Sequence, residues 1–277
     1  MVDGILNFPD TSYLIKVLAS LDLEIKVANN EFRDQYSSLG EEAYNNMFDS
    51  LGLNEQQPLI NFENELSFTS LRSIISAEHD AWLETDGEND ELNPNRHFIV
   101  DNTVRAILNK YGEVKIGDIY YTLTEEGYNE TSDLQTLVVE RGRKISNSNK
   151  LSNDCKSNER SNGTEPVSST KKFSWVVSHW TLPWGKYATA KLDNYKKKGR
   201  RWVKYKSVSI AQVYGDISDI GGNCDNKINF NTANGAYVSA DDEEVKHKIS
   251  VFSNTKRDWI YGYWKVGDKE KTKALSW

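Results

Sequence analysis

Cysteine is nearly absent from this chain: among 277 residues there are two, Cys155 and Cys224. A structural zinc site needs four ligands at recognisable spacings, so the pair does not make one. Two ordinary thiols is the first reading of them, and a single disulfide in an oxidising compartment is the alternative left open. No stretch approaches the ~20 apolar residues that span a bilayer. The start, Met1-Val2-Asp3-Gly4-Ile5-Leu6-Asn7, has neither a basic segment nor an apolar core, so no signal peptide is visible. That leaves a cytoplasmic protein, or one whose targeting segment was removed. Only five prolines and a mean hydropathy of -0.67 indicate a wet surface with solvated segments, not a wholly disordered chain.

Catalytic signatures are missing as well. There is no Gly-x-Ser-x-Gly elbow, and the four histidines, His79, His97, His179 and His247, are scattered without a His-x-x-x-His pair. Glu244 and His247 stand at Glu-x-x-His spacing, but a metal site needs further ligands and a helix beneath both. The acidic run 86–91 lacks the order of ligands of an EF-hand loop and reads as a solvated loop. Asp241-Asp242-Glu243-Glu244 supplies carboxylates without an identifiable partner for glycoside hydrolysis, and reads as a turn. These absences lean away from an enzyme, and nothing points to a cofactor or a metal.

What is present is a split in charge. Residues 1–142 hold 27 Asp and Glu against 9 Lys and Arg, a net of -18, and the remainder hold 14 against 25, a net of +11. Well-solvated surfaces explain much of this, since exposed charges more than about 10 Å apart are screened at physiological salt. The basic half is also suited to an external polyanion.

Helical periodicity fills the first hundred residues. Thr11 or Ser12 can cap a helix carrying Tyr13, Leu14, Val17, Leu18 and Leu21 at helical spacing, and Glu41-Glu42 open a second with Ala43, Met47 and Phe48 inward. A third runs from about Ser70 to Trp82, with Thr69 or Ser67 as cap and Leu71, Ile74, Ile75, His79 and Trp82 on one face. Asp101 caps a short helix. Glu113 to Ile116, the Gly117-Asp118 turn and Ile119 to Leu123 then read as a β-hairpin.

From Ser146 to Thr170 periodicity disappears, and beyond Phe173 the pattern becomes β. Phe173, Trp175 and Val177 alternate with Ser174, Val176 and Ser178, 202–210, 248–252 and 259–266 have strand composition, and Asn234-Gly235 is a hairpin turn. Seven of the eight tryptophans lie in this half. The expected architecture is α+β. An acidic helix-rich domain with a small hairpin spans 1–143, a polar linker 144–172, and a basic antiparallel β-sandwich-like domain 173–277.

Two surfaces could bind a ligand. Lys196 to Lys206 carries seven basic residues in eleven, interleaved with aromatics, which suits phosphates and stacked bases. Lysines that blunt an edge strand explain it more simply. The overall acidity disfavours nucleic acid. The rings of Trp180, Trp184, Tyr187, Trp259, Tyr261, Tyr263 and Trp264 could line a carbohydrate face, although core packing explains many of them. Alternation puts Trp259, Tyr261 and Tyr263 on one strand face, read as core, and Trp264 on the other. The candidate binding residues are therefore Trp180, Trp184, Lys198, Arg200, Arg201, Trp202, Lys204, Tyr205 and Trp264.

One stretch resembles a known module. Asn93-Pro94-Asn95-Arg96-His97-Phe98-Ile99-Val100-Asp101, the run from Ala106 through Asn109, Gly112-Glu113-Val114 and Ile116-Gly117-Asp118 to Tyr121, and Phe68-Thr69-Ser70-Leu71-Arg72 upstream are similar to a domain of unknown function in exported, often lipid-anchored proteins of Bacteroidetes. The resemblance is best over 68–121. It implies export to the cell surface or outer membrane, with a lipid anchor in the precursor, and carries no active site across. The expected function is a non-enzymatic surface binding protein for a glycan or another protein. A hydrolase of surface polymers and a polyanion binder acting through 196–206 are the alternatives.

Overall fold

The structure, a computed structural model, describes residues 4–85, 87, 89, 92–96, 101–124, 127–141, 159–219, 226–228, 238–242, 244–251 and 255–276. It is α+β, with helices dominating the first part and antiparallel sheet the second. The chain divides into two compact units. One holds Met1–Glu78, Asp101–Thr124 and Tyr128–Ser148, and the other holds His79–Val100, Glu125–Gly127 and Asn149–Trp277.

In the first unit Asp10 caps helix α1 (Thr11–Tyr36), its Oδ1 accepting the Tyr13 amide at 2.8 Å. The cap thus precedes the two hydroxyl residues expected to provide it. Leu14, Leu18 and Leu21 are buried, and α1 packs with α3 (Gln57–Asn64) and α5 (Asn102–Ile107). Helix α1 outlasts its sequence signal because its last turns bury Phe32 against Tyr44 and Phe48 of α2 (Glu41–Ser50), with ring centroids 5.0 Å apart in both pairs. Ala43, expected inward, is exposed. Helix α4 (Leu71–Thr85) is capped by Ser70, whose Oγ accepts the Ser73 amide at 3.0 Å.

The hairpin forms as expected from β2 (Glu113–Ile116) and β3 (Ile119–Thr124), within a four-stranded sheet. Strand β1 (Asn7–Phe8) pairs parallel with β2, and β4 (Gly127–Thr131) flanks β3. Glu113 is buried, and Arg141 at the end of α6 (Leu134–Arg141) grips it with Nε and Nη2 at 2.8 and 2.6 Å. Asn109 Nδ2 donates to the same carboxylate at 2.7 Å. Removing one partner strands a buried charge, so Arg141→Ala is expected to destabilise this unit by about 3 kcal/mol in urea unfolding.

The second unit is a sandwich of two five-stranded sheets. The first runs β12 (Glu244–Val251), β7 (Gly185–Lys198), β6 (Lys171–Leu182), β5 (Glu159–Ser168), with β8 (Arg201–Lys204) pairing the far end of β7. The second runs β10 (Asn226–Ile228), β9 (Ser207–Asp219), β13 (Thr255–Val266), β14 (Lys269–Ser276), with β11 (Val238–Asp242) also on β9. Phe173, Trp175, Ala190 and Leu192 of one sheet meet Ala211, Val213, Ile260 and Trp264 of the other in a single core.

At its centre Trp175 and Trp264 lie 4.9 Å apart, and two glycines make room for them. A Cβ on Gly262 would sit 2.3 Å from the Trp264 ring, and one on Gly163, the register partner of Trp175, 2.7 Å from that indole. Each ring lies across bare backbone that a side chain would deny it. Gly163 also explains why strand β5 was hidden. The strand falls inside the expected linker 144–172, where Pro166 and Val167 are its only apolar residues, and ladder bonds to β6, the Trp175 ring over Gly163 and Val167 packed on the core hold it instead. The other correction to the expected partition is that residues 79–100 group with the β half.

His247 joins the two sheets. From β12 its Nδ1 accepts the Val213 amide of β9 at 3.0 Å, at a point on β9 between the stretches paired with β11 and β10. Burial pushes the His247 pKa below its ordinary 6.5. The folded chain then binds fewer protons than the unfolded one, so this stabilisation is complete above pH 6.5 and is lost as the pH falls through 6.5 toward the folded value. His247→Asn is expected to flatten that slope in urea midpoints measured from pH 7.5 to 5.

Candidate functional site

The second sheet turns one face to the core and the other outward. Because strand side chains alternate, Ile260, Gly262, Trp264 and Val266 of β13 point inward, while Tyr261, Tyr263 and Lys265 point outward. Register lines the outward set up in three rows across β9, β13 and β14. Tyr214, Tyr261 and Ala274 form the first, Gln212, Tyr263 and Thr272 the second, and Ile210, Lys265 and Glu270 the third. Val208, 65% exposed, continues the face along β9. From Tyr214 to Val208 it runs six residues, roughly 20 Å at the usual strand rise.

Its chemistry is aromatic with a polar rim. Tyr214 and Tyr261 stack in parallel, with centroids 5.4 Å apart and planes at 12°. Glu270 accepts from Lys265 Nζ at 2.9 Å and from the Tyr263 hydroxyl, and these bonds with the nearby ammonium hold its carboxyl below the usual glutamate range. The Tyr263 hydroxyl is raised in turn, by partial burial first and then by the glutamate. Burial raises Tyr214 too. Both therefore remain protonated donors at physiological pH, beside a fixed carboxylate and ammonium.

A second cluster sits at the far end of β6, β7 and β8. Lys172 is buried, donating to the Gly87 carbonyl at 2.6 Å, with the rings of Trp202, Trp82 and Tyr195 at 4.7, 5.5 and 6.0 Å from its ammonium. Tyr195 is buried, its hydroxyl 3.1 Å from His79 Nε2 and bonded by Asn93 and Asn95. Desolvation holds that hydroxyl well above its ordinary pKa. The aromatic cage is occupied by the protein's own lysine, so its work is to fasten 79–96 to the sheet and to stiffen the β7 and β8 hairpin.

The candidate residues read from sequence fall into three places. Trp264 lies in the sandwich core, so the expected parity of β13 is reversed: the tyrosines face outward and the indole inward. Trp180, Trp184, Trp202 and Tyr205 are also buried, Trp180 Nε1 donating to Ser178 Oγ at 2.6 Å, and none offers a surface ring. Lys198, Arg200 and Arg201 are exposed at the hairpin turn, and Lys204 is half-buried beyond it. Cys155 and Cys224 lie outside the described residues, as does the Asn234-Gly235 turn. Glu244 and His247 are three apart on a strand, hence on opposite faces: Glu244 pairs with the buried Lys191 at 3.0 Å and His247 faces the core. Tyr214, which sequence reasoning passed over, could have been found by continuing the alternation of Ala211 and Val213.

These features define a two-sheet β-sandwich with an aromatic outer face. No family model matches the chain, and no curated protein matches it. Among solved structures it is similar to a DUF4848 family protein from Bacteroides thetaiotaomicron VPI-5482, at 14% identity over 99% of this chain and 97% of that one, with a TM-score of 0.22. No helix among the described residues is long and apolar enough to cross a membrane.

Proposed function

We propose that this chain is a non-enzymatic glycan-binding protein of the cell surface, and that the outer tyrosine face of β9, β13 and β14 is its binding surface. One observation carries the reading: β13 turns Tyr261 and Tyr263 away from the core, beside Tyr214. Sugar rings combine an apolar C–H face with a hydroxyl rim. A stacked tyrosine pair bordered by tyrosine hydroxyls, Glu270 and Lys265 offers the complement of both. Outward-turned aromatic rings, half-buried in this face, also lose little side-chain entropy on binding. Export, with a lipid anchor in the precursor, belongs to the same reading and follows from the resemblance over residues 68–121.

A glycan array probed with the purified chain tests it. The expected result is retention of at least one oligosaccharide class, insensitive to salt for a neutral sugar, and lost in Tyr261→Ala. Polymer cleavage by the purified chain, or retention unaffected by Tyr261→Ala, contradicts the proposal.

A further inference from the structure

The β7 and β8 hairpin carries a row of cations whose spacing the fold does not require. Lys196 on β7 lies opposite Lys171 of β6 on one side and Val203 of β8 on the other, and Lys198 lies opposite Arg201. By alternation Lys171, Lys196, Lys198 and Arg201 share one face of the ribbon, with Arg200 in the turn between the strands. Like charges directly opposite one another destabilise a ladder, and here two such pairs stand in succession. Edge protection accounts for Arg201 on the edge strand β8 but not for Lys196, which is paired on both sides. Arg201 meets Glu84 only loosely, at 3.8 Å between exposed groups.

The opposite face of the ribbon holds it rigid against this repulsion. Trp202 packs with Trp82, Leu83 and Tyr195, and a Cβ on Gly87 would lie 3.1 Å from its ring. Lys197 and Lys172 lie over the same indole at 5.1 and 4.7 Å. The cations are thus presented on an anchored platform, and the chain passes from it through Tyr205 and Lys206 directly into β9, where the tyrosine face begins at Val208.

We infer that the glycan is an acidic one, and that Lys196, Lys198, Arg200 and Arg201 bind its sulfate or carboxylate groups. The inference rests on the glycan reading above and names the class of sugar. Nucleic acid suits the hairpin less well: stacking on bases needs exposed rings, and Trp202 and Tyr205 are buried.

The test compares heparin oligosaccharides, the neutral oligosaccharides retained on the array, and duplex DNA, using the full chain and the triple variant Lys196→Gln, Lys198→Gln, Arg201→Gln. Neutralising about four charges gives a slope near -3 for log affinity against log salt. Heparin binding should therefore weaken roughly 60-fold between 50 and 200 mM salt. The triple variant should bind heparin at least tenfold more weakly with a flatter slope, keep or raise its thermal midpoint as the opposed charges are removed, and bind neutral sugar as before. Heparin affinity unchanged in the triple variant overturns the inference while leaving the tyrosine reading intact. Duplex DNA bound as tightly as heparin overturns it too. Heparin binding that depends on the hairpin while Tyr261→Ala has no effect on any sugar instead removes the glycan reading on which it stands.

Discussion

Replacing Trp264 with alanine is expected to lower the stability of the β unit by about 4 kcal/mol, within the range for losing a fully buried tryptophan. The indole is completely buried, touches Trp175, and covers the bare backbone of Gly262, so no neighbour is placed to fill the space it leaves. Gly262→Val should be nearly as damaging for the opposite reason, since its Cβ alone would fall 2.3 Å from the ring. Tyr263→Ala, one residue from each of these sites, should cost less than about 1 kcal/mol, as surface substitutions usually do. Urea midpoints at constant m-value provide the comparison. If the tyrosine variant proved as unstable as the tryptophan variant, β13 would not have the parity described.

The second large effect is on binding. Tyr214→Ala and Tyr261→Ala each remove half of the stacked pair, and truncating an aromatic anchor at the centre of an interface costs about 2 kcal/mol or more. That corresponds to roughly a 30-fold loss of affinity for each variant. Because the rings touch, the double variant should lose less than the product of the two. Calorimetric titration with the retained oligosaccharide measures all three. Thermal midpoints within a few degrees of the parent would show that the loss is local.

Much of the fold was legible because local signals and tertiary packing agreed. The hairpin around Gly117-Asp118 announced itself through turn chemistry and alternation, and so did the α+β layout through periods of 3.6 and 2. Caps slipped by one to three residues because the chain offers Asp10, Thr11 and Ser12 together, and Ser67, Thr69 and Ser70 together, and only geometry selects among neighbouring oxygens. Strand β5 was illegible for a different reason: backbone ladder bonds, one glycine and the single valine Val167 hold it, and these leave no alternating apolar pattern.

The proposed binding face was half legible. Tyr261 and Tyr263 were visible among the aromatic rings but read as core, because a strand of alternating aromatics reads equally well with either side inward. Gly262 breaks that symmetry. It shares the parity of Trp264, and a sandwich core can accommodate an indole where its neighbour two residues back has no side chain. Two buried lysines left no signal in the sequence. Lys172 and Lys191 occupy strand positions where a lysine is ordinarily read as exposed, and each is buried because fixed partners surround its ammonium: the Gly87 carbonyl with three aromatic rings, and the pair Asp193 and Glu244.

Ring resonances of labelled tyrosine and tryptophan, recorded while the protein is saturated with oligosaccharide, test the central claim most directly. Tyr214, Tyr261 and Tyr263 should shift together as sugar is added, while the indole N–H of Trp264 stays in place and resists exchange with deuterium. Shifts at Trp264, Trp180 or Trp184 with the three tyrosines silent would contradict it.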